Sequence, residues 1–428
     1  MTVSSAPSGE LGDESERRAH AQSWQCFAVT CERADSLCAR TSTMRILMMA
    51  DYYLPGYLAG GPIKTLSAMV AALGDPFEFW VVTRDRDAFA PAPYPNVSEG
   101  TWAEVGRAHV RYLSPKHLGV RSLRQVCKAV EPDLIYLNSF FSSAFSVPTL
   151  GLRRARAIPR TPLLLAPRGE FAPGALALKT SKKLAYLRVA RTLGLVDEIT
   201  WHASSSYERD DIRTWFGDRA RVEIAPNLAP ITSTLDLPRT SKTSGKLNLA
   251  CVARVARNKN LVFALDVLRG LRGDVELDIV GPPEDALYQA ECERMAQTLP
   301  RNIVVRFHGG LAASEIPAIL RRNHVFLLPT LGENFGHSIF EALQAGCPVV
   351  ISDRTSWRNL ESSGVGWDLP LSEPARFTAV LQRCLEMDQT ELDTFSASAV
   401  AHAAARACDP GILEQNRSMF LAAAASGS

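Results

Sequence analysis

The chain has 428 residues, of which 46% are hydrophobic and 21% charged, with 47 basic against 45 acidic side chains. That length predicts two or three domains. The composition excludes disorder over most of the chain, and a net charge of +2 gives no electrostatic case for nucleic acid. No apolar run approaches the roughly 18–20 residues that span a bilayer. Nine cysteines, with no CxxC pair and no metal spacing, argue against a disulfide framework and fit a reducing cytosol. Residues 1–43 are rich in Ser, Glu, Arg and Ala and lack the apolar core of a signal peptide. They are expected to be a disordered tail or an extension ahead of a true start at Met44.

From Met44 the pattern is strand, loop, helix, repeated. Arg45–Ala50 reads as a buried strand, and Gly60-Gly61-Pro62 opens a helix through Leu66, Met69, Val70 and Leu73. Phe79–Thr83, Leu134–Leu137 and Leu163–Ala166 are further strands, with helical spacing at Ser122–Val130 and Ala144–Arg154. Pro226–Gly245 has the Pro, Gly, Ser and Thr content of a linker. Strands then resume at Leu247–Val252, Val275–Gly281, Ile303–His308, Val325–Pro329 and Val349–Ser352, with helices at Asn260–Leu271, Leu287–Leu299, Ser314–Arg322 and Ser338–Ala345. Continuous apolar strands alternating with helices predict parallel sheets covered on both faces. The expected organisation is an α/β chain of two Rossmann-like domains, 44–228 and 246–400, joined by a linker at 229–245. An Ala-rich helix and tail at 401–428 could return to the first domain. In such sheets ligands sit at the carboxyl ends of the strands, so the cleft between the domains is the expected site.

Three stretches carry chemistry. In Pro329–Pro348 a buried strand gives way to a glycine-containing loop and a helix whose expected N-cap is Ser338. A helix start offers free N–H groups and a partial positive charge to a diphosphate. Glu333 and Glu341 bracket the loop; the first also fits an exposed acid, the second a capping box with Ser338. In Leu249–Leu261, Arg254 and Lys259 stand five apart after a strand and could clamp an anionic leaving group. A solvated basic loop is the alternative, and Arg257 reads as a spare cation. Gly60-Gly61 permits a ligand close to the backbone, or is a simple tight turn; it is not a GxGxxG fingerprint. Asp85-Arg86-Asp87 has the form of a metal-binding DxD but is expected to be a solvated turn, and no metal is required. Lys179–Arg191 has the spacing of a basic amphipathic helix that could touch an anionic membrane surface or simply pack on its own domain.

These stretches, in this order, resemble the family 4 glycosyltransferases of the GT-B fold, close to those of bacterial exopolysaccharide or lipopolysaccharide assembly. The similarity covers about residues 44 to 400. It implies two Rossmann-like domains facing a central cleft and a cytoplasmic enzyme, peripheral on the inner membrane where it meets a lipid-linked acceptor. It further implies sugar transfer from a nucleoside diphosphate sugar to a saccharide or lipid-linked saccharide, with retention at the anomeric carbon and no cofactor. By the resemblance, Arg254 and Lys259 hold the donor diphosphate, Glu341 the ribose, and Glu333 lies beside the donor sugar in a catalytic or orienting role. Asn334, Phe335, Gly336, His337 and Ser338 meet the sugar and phosphates. Gly310 and Leu311 lie where the base packs, and Gly60 and Gly61 approach from the opposite domain. The chain departs from the family in carrying Arg168 where many relatives have histidine, and Asn138 at another commonly His-rich place. Arginine cannot act as a base, being always protonated. Arg168, Asn138 and His202 are expected acceptor or phosphate contacts, although His202 fits a core histidine equally well. A GT-B sugar-nucleotide epimerase and a non-catalytic two-domain sugar- or nucleotide-binding protein are the competing readings.

Overall fold

The computed structural model describes residues 43–176, 180–230 and 237–426. The expectations for the segment before Thr43, the middle of the linker and Lys179 fall outside these residues.

The described residues form two sheets. The first contains β1 (Met44–Met49), β2 (Phe77–Arg84), β3 (Trp102–Val105), β4 (Ala108–Leu113), β5 (Leu134–Asn138), β6 (Leu163–Ala166), β7 (Thr200–Ala203) and β8 (Arg221–Ile224). Their spatial order is β3-β4-β2-β1-β5-β6-β7-β8, parallel except for the β3–β4 pair. The second contains β9 (Lys246–Val252), β10 (Asp274–Val280), β11 (Ile303–Gly309), β12 (Val325–Leu328), β13 (Val349–Ser352) and β14 (Gly366–Leu369), all parallel, in the order β11-β10-β9-β12-β13-β14. The strand order of each sheet therefore reverses beside its first strand, between β1 and β5 and between β9 and β12. A crevice opens at the carboxyl ends of the strands at such a point. The loops described below all leave those ends.

Period-two alternation shows how the first sheet is buried. Leu47, Met49, Ile135 and Leu137 enter one core layer, while Ile46, Met48, Leu134 and Tyr136 enter the other. The chain's last helix, Pro410–Ala425, completes that second layer with Met419, Phe420 and Ala423. Phe420 lies 5.6 Å from the Phe77 ring and 5.5 Å from Tyr136. The preceding helix, Gln389–Ala407, packs instead on the helix His337–Gln344 of the second half. The single helical run expected from composition is thus two helices. The break is at Asp409-Pro410, where the Asp409 carboxylate caps the second helix through the Gly411 N–H.

Strands with continuous apolar runs fall where the sequence predicts them. β3, β4, β8 and β14 were not expected: they are short or half-polar, and β8, at the sheet edge, has exposed ends and only a partly buried middle. The described end of the linker composition, residues 237–245, is tied down. Lys242 is buried with its ammonium on the carbonyls of Thr243 and Leu385, and Arg321 holds the Leu237 carbonyl.

Candidate active site

β12 ends at Leu328, and the chain runs through Pro329–Phe335 before Gly336, at φ +75°, starts the helix His337–Gln344. The cap is Gly336, not Ser338 as expected; Ser338 lies in the first turn, and no side chain caps the helix. The left-handed turn favours glycine here, and a Cβ would also press on the tip of the Ile339 side chain at 2.7 Å. The capping box is absent as well. Glu341 pairs instead with Lys64, from the helix Gly61–Leu73 of the first half. Its second oxygen, Oε2, is buried without a hydrogen-bond partner among the described residues. A buried carboxylate oxygen in that state calls for a donor, and a sugar hydroxyl is of the right chemistry.

The loop after β9 is stitched to this one. The Asn258 carbonyl accepts from the Leu331 N–H at 2.8 Å and the Thr330 hydroxyl at 2.9 Å. Lys259, at the end of a 3₁₀ turn, forms an ion pair with Glu333, which Thr330 Oγ1 also approaches at 3.3 Å. Lys259 and Glu333 thus meet directly. Arg254 is paired with Glu284 at 2.6 Å, while Arg257 turns to Asp285 and Glu291 and lies over the Tyr288 ring. Gly310 rests against Pro282, and the Gly309 carbonyl accepts from the Gly281 N–H at 2.7 Å. Leu311 packs on the edge of the second core.

The opposite wall is built by the first half. Gly60 starts its helix at φ +71°, and a Cβ on Gly61 would sit 3.1 Å from the His337 ring. Thr65 Oγ1 and His337 Nε2 share a buried hydrogen bond of 2.7 Å. Burial, then the nearby Lys64 and Arg168 charges, push His337 down to about 3, so the ring is neutral. Asn334 reaches across in the same way. Its Oδ1 accepts from the Ser204 hydroxyl, its Nδ2 lies 3.5 Å from Glu208, and Gly169, at φ +77°, passes beneath its Cβ. The loop Pro329–Phe335 and the helix it leads into therefore touch the first half at Gly61, Lys64, Thr65, Gly169, Ser204 and Glu208. Lys64, Thr65, Ser204 and Glu208 were missed from sequence, where no local pattern singles them out.

Arg168, itself at φ +55°, donates to Asn138 Oδ1 at 2.8 Å, to Asn227 Oδ1 at 2.5 Å and to the Tyr136 hydroxyl at 2.6 Å. Its three acceptors are neutral, and it has no ion-pair partner among the described residues. Asn138 is buried under it. His202 is the core histidine rather than a cleft contact. It is buried, accepts from Tyr136 at Nδ1 and donates from Nε2 to the Ala225 carbonyl, both at 2.8 Å. Burial and then Arg168 push it down to about 3. Asp85 and Asp87 are not a solvated turn: both are buried. Asp87 accepts the N–H groups of Tyr57, Leu58 and Ala88, and Asp85 pairs with Arg86. No group of three or more His, Cys, Asp or Glu that could hold a metal exists among the described residues. In the helix Thr180–Thr192, Lys183 folds back to the Ala175 carbonyl and the Phe141 ring, leaving Lys182, Arg188 and Arg191 exposed. No described helix is long and apolar enough to cross a membrane.

Two parallel α/β sheets with their strand ends turned to a shared cleft define the GT-B fold. Comparisons with known proteins agree. Residues 60–228 match the family described as Glycosyl transferase 4-like domain, and residues 235–397 match Glycosyl transferases group 1. The chain belongs to the glycosyltransferases built from these two domains. It is 30% identical over 135 residues to a phosphatidyl-myo-inositol mannosyltransferase of Mycobacterium leprae (strain TN), a stretch covering 30% of this chain and 34% of that protein. The chain thus spans about a third of that relative's length. Among solved structures, sucrose-phosphate synthase from Thermosynechococcus elongatus superposes with a TM-score of 0.64 at 17% identity, over 89% of this chain and 100% of that one. Anabaena Alr3699/HepE in complex with UDP and glucose gives 0.63 at 18% identity, with the same coverage.

Proposed function

We propose that the chain transfers a sugar from a nucleoside diphosphate sugar to a saccharide or lipid-linked saccharide, with retention of anomeric configuration, in the assembly of a cell-surface polysaccharide. The observation that carries this reading is Glu341. One of its oxygens is held by Lys64 from the opposite half, and the other is buried and has no hydrogen-bond partner among the described residues. In this reading the ribose hydroxyls donate to Glu341, and the diphosphate lies against Arg254, Lys259 and the first-turn amides of His337–Gln344. As the sugar–phosphate bond breaks, negative charge grows on the leaving diphosphate, and in this reading these cations and N–H groups stabilise it. Glu333, held by Lys259, orients the transferring sugar together with Asn334, and the base packs near Gly310 and Leu311. The acceptor attacks on the face from which the diphosphate departs, with Arg168 positioning it from the first half. The solved complex of Alr3699/HepE with UDP and glucose supports a uridine donor by analogy of fold. The exposed Lys182, Arg188 and Arg191 suit contact with an anionic membrane surface near a lipid-linked acceptor.

The test is thermal unfolding in the presence of UDP, GDP and ADP. Ligand that binds only the folded chain stabilises it by about 2.7 kcal/mol at a hundred times its dissociation constant. One nucleotide should raise the midpoint clearly above the others. No protection by any of the three contradicts the reading.

A further inference from the structure

A second cavity, of about 400 Å³, opens between the halves on the β13 side of the donor loop. Asn334 and Phe335 form the wall it shares with the proposed donor site, and Ser204, Trp357, Arg358, His402 and Arg406 line the rest. No Asp or Glu contributes to its lining. Among the described residues, neither the Arg358 nor the Arg406 side chain has a hydrogen-bond or ion-pair partner, and Arg406 instead lies over the Phe335 ring with its guanidinium carbon 5.7 Å from the centroid. This differs from Lys64, Arg254, Arg257 and Lys259, which are each matched to a carboxylate. Two partly buried guanidinium groups, of which Arg406 feels the Asp409 carboxylate only from beyond ion-pair distance, favour an anion, and each offers a planar fork that fits a carboxylate or phosphate. Hydroxyl and amide side chains beside them have the chemistry that pairs with sugar hydroxyls. The volume is in the range of small-ligand sites.

We infer that this cavity is a subsite for an acidic sugar of the acceptor, one bearing a carboxylate or phosphate that Arg358 and Arg406 clamp. The inference rests on the transfer reading above and adds to it the charge of the acceptor. The shared wall at Asn334-Phe335 puts the bound unit next to the loop that carries Glu333, as an acceptor requires.

The experiment is calorimetric titration of the full chain with glucuronate, glucose 6-phosphate and uncharged glucose. Arg358→Gln and Arg406→Gln are titrated alongside, and their folding is checked by circular dichroism. UDP, GDP and ADP are titrated into the same wild-type preparation. One of the two acidic sugars should bind at least roughly tenfold more tightly than glucose, and each substitution should weaken it by roughly tenfold or more. Which acid binds separates carboxylate from phosphate. Because Arg406 packs on Phe335, Arg358→Gln remains decisive if the other variant unfolds. Equal binding of glucose, or unchanged affinity in the folded variants, overturns the inference. Nucleotide binding without binding of either acidic sugar at millimolar concentration overturns the subsite alone. Absence of both kinds of binding removes the transfer reading with it.

Discussion

Replacing Lys259 and Arg254 separately by alanine gives two outcomes that the structure distinguishes. Lys259 and Glu333 are 12% and 14% exposed, so Lys259→Ala strands a largely buried carboxylate. Breaking a buried pair from one side costs about 3–5 kcal/mol, and the remaining water contact lowers that to about 2–4 kcal/mol here. Arg254 and Glu284 are 38% and 36% exposed, and loss of such a surface pair costs at most about 1 kcal/mol. For turnover the two substitutions should look alike. Each removes a cation proposed to stabilise the leaving diphosphate, a loss of about 10²–10³ in rate. Adding Glu333→Gln to Lys259→Ala should return much of the stability, since the orphaned charge is gone, but none of the turnover. The assays are chemical denaturation and release of nucleoside diphosphate from the donor, measured on the same samples. Near-wild-type turnover in folded Arg254→Ala and Lys259→Ala would refute the phosphate assignment. Equal stability losses in the two would refute the burial argument.

Three further outcomes follow from particular contacts. Glu341→Gln should weaken nucleoside diphosphate binding by about 10–100-fold in calorimetry, the worth of a hydrogen bond to a charged group; unchanged affinity would contradict a ribose contact. His202 is held down to about 3 in the fold and titrates near 6.5 when unfolded, so between those values the unfolded chain binds the extra proton. Its contribution to stability is complete above about pH 6.5 and is lost as pH falls, by about 2 kcal/mol at pH 5. His202→Gln should therefore flatten the fall in denaturant stability between pH 7 and 5 by about one proton; an unchanged slope would contradict the neutral buried ring. Gly281→Ala should cost several kcal/mol or prevent soluble expression, because its Cβ would fall 2.0 Å from the Ala253 carbonyl oxygen at φ +152°; wild-type thermal stability would contradict the close approach of β9 and β10 loops.

The elements legible in the sequence are those whose physics is local. β5, β6, β12 and β13 are buried on both faces, so their apolar runs identify them without reference to partners. β8 and β14 have no such run, because an edge strand is defined by its neighbour rather than by its own residues. In the site, the glycines, Glu333, Glu341 and Lys259 cluster within two short stretches and could be singled out together. The misplaced cap at Ser338 shows the limit of that approach. Ser338-x-x-Glu341 has the spacing of a capping box, yet Glu341 is taken by Lys64, 277 positions away. Asp87 was misread for the same reason: an acid between an Arg and an Ala looks solvated until the Tyr57 and Leu58 amides fold onto it. Contacts between the halves have no sequence period, so Thr65–His337 and Ser204–Asn334 emerge only from the fold.

The most direct measurement is incubation of the full chain with UDP-, GDP- and ADP-sugars, with and without saccharide acceptors, followed by quantitation of free nucleoside diphosphate and of the residual nucleotide sugar. The account predicts release of nucleoside diphosphate from donors of one base, faster with an acceptor and abolished by Lys259→Ala. Recovery of every nucleotide sugar intact, or its conversion to an epimer without release, would contradict it.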